Sequence, residues 1–111
     1  MVKVEAVVVR ERVETVIDAV EEETGHVGAT VVEAIGHGRE RGVTHEYRGR
    51  TFESRFLPKA LLTFVVEDAL AERIVSAIAD AARTGHASGD GLCWTSAVGS
   101  VVLHRTGKRL G

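Results

Sequence analysis

The sequence predicts an α+β domain of βαββαβ order, the split βαβ arrangement of ferredoxin-like folds, with an extra short C-terminal strand. Three observations predict it. Apolar residues alternate or run continuously in β-branched segments near residues 2–9, 29–35, 60–66 and 92–98; two stretches between them switch to helical period; and a polar connection of about twenty residues separates the second and third strands.

Residues 2–9 alternate and then become continuously apolar, as a central strand does. Val13, Val16, Ile17 and Val20 then recur at helical spacing, with Glu21, Glu22 and Glu23 on the wet side and Thr24-Gly25 as a stop. Residues 29–35 form a second strand and residues 60–66 a third, whose unbroken apolar run suits burial on both faces. Asp68 is placed to cap a second helix with Leu70, Ile74, Ile78 and Ala82 as its stripe and Gly85 as its stop. Residues 92–98 follow as a fourth strand, residues 101–103 as a short further one, and residues 105–109 as a polar tail.

The 111 residues, 44% apolar, make one domain, residues 1–111, with a real core. Its formal net charge of −2 offers no global attraction to nucleic acid or anionic lipid. No signal-like or membrane-spanning apolar run is present, which predicts a cytoplasmic protein. The single cysteine, Cys93, has no disulfide partner and reads as a buried, inert thiol. The five histidines are scattered, so no metal site is predicted, and no catalytic constellation can be assembled. His37 and His86 would meet only if the two glycine clusters share a cleft, and Trp94 suits a core or a subunit interface.

Those clusters are Gly36-His37-Gly38 after the second strand and residues 85–91, ending Gly89-Asp90-Gly91, before the fourth. Glycine lets backbone N–H groups approach a phosphate closely. Neither cluster is a Walker loop, because no Gly-Lys-Ser/Thr follows. The connection over residues 36–58 carries Arg39, Arg41, Arg48, Arg50 and Arg55 against Glu40, Glu46 and Glu53, a basic excess suited to phosphates or a partner's carboxylates.

Taken in order, Gly36-x-Gly38-Arg39, Tyr47-Arg48-Gly49, Phe56-Leu57-Pro58-Lys59, Ala82-Arg83-Thr84-Gly85, Gly89-Asp90-Gly91 and Arg105-Thr106-Gly107 resemble the PII signal-transduction proteins over essentially the whole chain. The resemblance implies a non-enzymatic homotrimer with adenine nucleotides in clefts between subunits, and a T-loop, residues 37–55 here, that docks a membrane transporter or metabolic enzyme. It assigns Thr30, Gly36, Gly38, Arg39, Lys59, Val65, Gly89, Asp90, Gly91 and, from the neighbouring subunit, Arg105 to the nucleotide. Lys59 matches the lysine that meets 2-oxoglutarate or the γ-phosphate. Glu40, Tyr47, Arg48 and Arg50 fall in the T-loop as effector or partner residues.

Several positions depart from that pattern. Arg50-Thr51-Phe52 replaces the usual Ala/Ser-Glu-Tyr, leaving no hydroxyl at position 52 for nucleotidylation and none at position 50 for phosphorylation. Glu40 stands for the glutamine that helps hold Mg²⁺ and 2-oxoglutarate; a carboxylate can bind Mg²⁺ but repels a dianionic oxoacid. The Gly-Asp-Gly loop has one extra residue, and Leu92 and Leu103 replace a lysine and an arginine. Losing two cations penalises a triphosphate most, which favours ADP or AMP over ATP. Resemblance to the atypical PII-like branch then implies inorganic-carbon regulation with bicarbonate as an effector. The alternatives are a conventional nitrogen regulator sensing ATP, ADP and 2-oxoglutarate, a trimeric metal-binding protein of the divalent-cation-tolerance type, and a small enzyme using the loop as a lid.

Overall fold

The computed structural model describes residues 1–26, 28–37, 44–47, 50–53, 56–85 and 90–110. In chain order the elements are β1 (Val2–Val9), a 3₁₀ turn (Arg10–Arg12), α1 (Val13–Thr24), β2 (Thr30–His37), β3 (Thr44–Tyr47), β4 (Arg50–Glu53), β5 (Phe56–Val66), α2 (Asp68–Ala82), β6 (Cys93–Ala97), β7 (Val101–Val102) and β8 (Arg109–Leu110). The main sheet has the order β2-β5-β1-β6, with every neighbouring pair antiparallel. This is the predicted α+β, ferredoxin-like arrangement, and its two central strands are the first and third of the fold.

Alternation along the strands decides which face is covered. Val4, Ala6 and Val8 of β1 and Ala60, Leu62, Phe64 and Val66 of β5 are buried against Val16 and Val20 of α1 and Ala71, Ile74 and Ile78 of α2. The opposite face, with Lys3, Glu5, Val7 and Val9 beside Leu61, Thr63 and Val65, is only partly covered within the chain. Both helices therefore lie on one side, leaving a two-layer unit with an open sheet face.

Helix α1 ends as its sequence indicates: Gly25 adopts φ 74° and its N–H donates to the Glu21 carbonyl at 2.7 Å. Helix α2 begins differently. Glu67 holds the N-cap position without a side-chain hydrogen bond, and Asp68 is instead the first helical residue, ion-paired with the Met1 amine at 3.0 Å. Its carboxylate still complements the positive end of the helix dipole. At the other end the chain leaves the helix through extended Arg83, and Gly85, with φ 83°, turns the chain two residues later. Arg12 caps this terminus from outside: its Nε and Nη2 donate to the Ala81 carbonyl at 2.9 and 2.6 Å.

The long connection is shorter than its composition suggests. β2 continues through His37, β5 starts at Phe56, and β3 and β4 pair as a hairpin between them. The predicted polar tail also carries structure: β8 pairs with β7, and the turn between them is closed by Gly107 N–H to the Leu103 carbonyl at 2.7 Å and Leu103 N–H to the Lys108 carbonyl at 2.8 Å.

Candidate functional site

Strand register distributes the candidate residues between two ends of the open face. Thr30 opposes Thr63 at the start of β2, and Val65, 37% exposed, lies two residues further along β5 on the same face. Gly36 opposes Leu57 and Ala34 opposes Lys59 at the other end. Six residues of extended chain separate Thr30 from Gly36, and six separate Lys59 from Val65, which is about 20 Å in each case.

Lys59 is 2% exposed, although it lies on the face that the helices leave open. Its stem lies across Gly36: a Cβ built on Gly36 would fall 2.7 Å from Lys59 Cγ and 2.9 Å from Cε. Close by, His37 opposes Phe56 in the ladder, their rings 5.0 Å apart. Phe56 and Ile35 remain largely exposed, 62% and 73%, at an edge that neither helix reaches.

The second glycine cluster is fixed to β1. Gly91 has φ 105°, and a Cβ there would fall 1.9 Å from the Val7 carbonyl oxygen, a backbone atom that cannot swing away. Only glycine allows the approach, and the neighbouring Val7 N–H donates to the Leu92 carbonyl at 2.8 Å. Asp90 closes the loop from within: its carboxylate accepts the Thr84 N–H at 3.1 Å and also the Thr84 hydroxyl. Both carboxylate oxygens thus accept hydrogen bonds from the loop's own residues, which gives Asp90 a loop-closing role. Beneath lies a cavity of about 180 Å³ floored by Val8, Ile78 and Ala82. That is below the roughly 300–1,000 Å³ of ordinary small-molecule pockets, so this cavity does not enclose a nucleotide.

Leu92, in place of a cation, is 76% exposed, and Leu103 is 37% exposed. Arg105 is exposed in the turn between β7 and β8. Tyr47 and Arg50 pair in the β3–β4 register, while Gly38, Arg39, Glu40, Arg48, His86 and Gly89 lie outside the described residues. Cys93 is half-buried rather than buried, and desolvation pushes its thiol pKa up, away from reactivity.

Sequence reasoning missed one polar group. On the open face Glu5 stands between Thr63 and Trp94, the strand neighbours it opposes. It accepts the Thr63 hydroxyl at 3.1 Å, pairs with Lys3 Nζ at 3.3 Å and bonds the Trp94 indole. Desolvation pushes the Glu5 pKa up, but these donors outweigh it and hold the carboxyl below its ordinary range. The available signal was period: Lys3, Glu5, Thr63 and Trp94 each fall on the open-face alternation of their strands.

Among the described residues, no helix is long and apolar enough to cross a membrane. The family model for nitrogen regulatory protein P-II matches residues 1–108. The nitrogen regulatory protein P-II of Rhodospirillum rubrum is 42% identical over 111 residues, covering 100% of this chain and 97% of the relative. That of Azospirillum brasilense is also 42% identical over the same coverage. Nitrogen regulatory protein P-II 2 of Methanothermobacter thermautotrophicus is 39% identical over 108 residues, 97% of this chain and 92% of the relative. With its sheet order, its glycine loop locked on β1 and a full-length match of this kind, the chain belongs to the P-II family of regulatory proteins, whose fold is ferredoxin-like and trimeric.

Proposed function

We propose that this protein is a cytoplasmic nitrogen-regulatory signalling protein that binds adenine nucleotides in the clefts between subunits and reports their occupancy to a transporter or metabolic enzyme through residues 37–55. The division of the candidate residues carries the reading. Thr30 and Val65 at one end of the sheet, and Gly36, Lys59 and Gly91 at the other, can serve one ligand if two subunits each supply one end. Gly91 would hold the loop's N–H groups against the phosphates, Lys59 would neutralise their charge, and Arg105 from the neighbouring subunit would add a second cation. The role is binding and signalling rather than catalysis.

Nucleotide choice follows from charge. Exposed Leu92 supplies no cation to the phosphate end, so ADP and AMP are expected to compete well with ATP, with or without Mg²⁺. A second reading, an inorganic-carbon regulator responding to bicarbonate, is favoured by Glu40, whose carboxylate disfavours 2-oxoglutarate, and by Phe52 in place of a modifiable tyrosine. The names of the relatives favour nitrogen.

Calorimetric titration of the purified protein with ATP, ADP and AMP, each with and without Mg²⁺, 2-oxoglutarate and bicarbonate, separates the readings. Nucleotide binding strengthened by 2-oxoglutarate supports the nitrogen regulator. A response to bicarbonate and none to 2-oxoglutarate supports the carbon regulator, and no nucleotide binding would overturn both.

A further inference from the structure

Gly36 invites a reading of its own, because nothing about its backbone requires glycine. It is a regular residue of β2, opposite Leu57, in ordinary extended conformation, and its value to the fold as a strand residue is poor. What it lacks is a side chain on the open face, where the Lys59 stem crosses. A Cβ would meet Lys59 Cγ at 2.7 Å, Cε at 2.9 Å and Cδ at 3.4 Å. The first two are closer than carbon atoms can approach, and three consecutive carbons of one stem are involved, so no single terminal rotation relieves them. Lys59 is also 2% exposed, which leaves its stem little room to move aside.

We propose that Gly36 is a positioning residue: its missing side chain forms the channel in which Lys59 lies flat, holding the ammonium beside the end of β2 for the anionic end of the ligand. This rests on the nucleotide reading above for the identity of the ligand, but not for the geometry. An unconfined lysine side chain has many rotamers to lose when it is fixed on a ligand. Confining it before the ligand arrives removes that cost from binding, so Gly36 can set affinity through Lys59 rather than through a contact of its own. A direct ligand role for Gly36 predicts losses that do not depend on Lys59; a positioning role predicts that they vanish without it.

The chain has three lysines, Lys3, Lys59 and Lys108, so reductive methylation followed by peptide mass spectrometry reads Lys59 against two internal references. In the native protein without nucleotide, Lys59 is expected to label at least about tenfold more slowly than exposed Lys108, and Gly36→Ala is expected to bring the two rates together. Equal rates for Lys59 and Lys108 in the native protein overturn the proposal, whatever happens to the variant. So does an unchanged Lys59 rate in a Gly36→Ala protein, whose native fold is checked by circular dichroism and by a cooperative urea transition before either rate is read. A second arm titrates ATP into the native protein, Gly36→Ala, Lys59→Met and the double variant. Positioning predicts a loss of about tenfold or more for Gly36→Ala and no further loss when it is added to Lys59→Met. Additive losses overturn it. Should the native protein bind none of ATP, ADP and AMP, the labelling difference still supports the positioning while the nucleotide reading falls.

Discussion

Gly91 puts two constraints on one atom. Its φ of 105° lies where an L side chain costs about 1–3 kcal/mol, and its Cα is so close to β1 that a Cβ would overlap the Val7 carbonyl. The loop must then lift from the strand, which also threatens the Leu92 carbonyl's hydrogen bond from Val7. Gly91→Ala is expected to destabilise the protein by at least about 2 kcal/mol in urea denaturation at fixed protomer concentration, because strain and displacement add. Gly85→Ala is the control: it too has positive φ, 83°, but nothing lies within 4 Å of its Cβ, so its cost should stay near about 1 kcal/mol. Equal costs for the two would mean that the approach to Val7 is not what demands glycine. At this scale the sequence was partly legible. The Gly-Asp-Gly run announced a loop of special geometry, whereas the assignment of Asp90 to Thr84 depended on how a six-residue excursion closes, which composition does not determine.

Elements were legible where periodicity was uninterrupted. The bounds of β1 and α1 follow from their stripes, because each buries a regular subset of its residues against the core. The start of β5 was hidden by Pro58, which reads as a loop residue. It is tolerated because β1 pairs with β5 only as far as Lys59, so Pro58 has a strand neighbour on one side alone. β8 was hidden because Arg109-Leu110 is too short to show a period and reveals itself only by pairing with β7. The C-terminus of α2 holds a further long-range device. Its last turn contains no basic residue, and the positive charge comes instead from Arg12, 69 residues earlier. Arg12→Ala removes two donors from the Ala81 carbonyl and a cation from the negative helix end, an expected loss of about 1–3 kcal/mol. Arg12→Lys keeps the charge without the fork and should recover only part of it. Denaturation curves of the three proteins decide this; a fully recovered lysine variant would show that charge alone matters.

At the scale of the whole molecule, the open sheet face and the two separated groups of candidate residues describe the same requirement. Helices α1 and α2 carry eight carboxylates against Arg73 alone, so the rest of the chain is net basic and phosphate is drawn away from the helical side. On the open face, Thr30 and Val65 stand about 20 Å along their strands from Gly36 and Lys59, so a ligand that uses both ends is expected to use them from different subunits. In a cyclic trimer each cleft then takes one end from one subunit and the other end from its neighbour. This makes a prediction that a site contained in one chain cannot imitate. Val65→Asp places a carboxylate at one end, and Lys59→Met removes the cation at the other; homotrimers of either are expected to bind ATP at least about tenfold more weakly than the native protein. When the two variants are unfolded together, mixed and refolded, every mixed trimer contains one cleft built from two undamaged ends. Random assembly should therefore restore native affinity in about a quarter of all clefts. Native-affinity sites at that fraction, counted by titration, establish that the site is shared. Their complete absence from trimers shown by native mass spectrometry to be mixed would place each nucleotide within a single subunit.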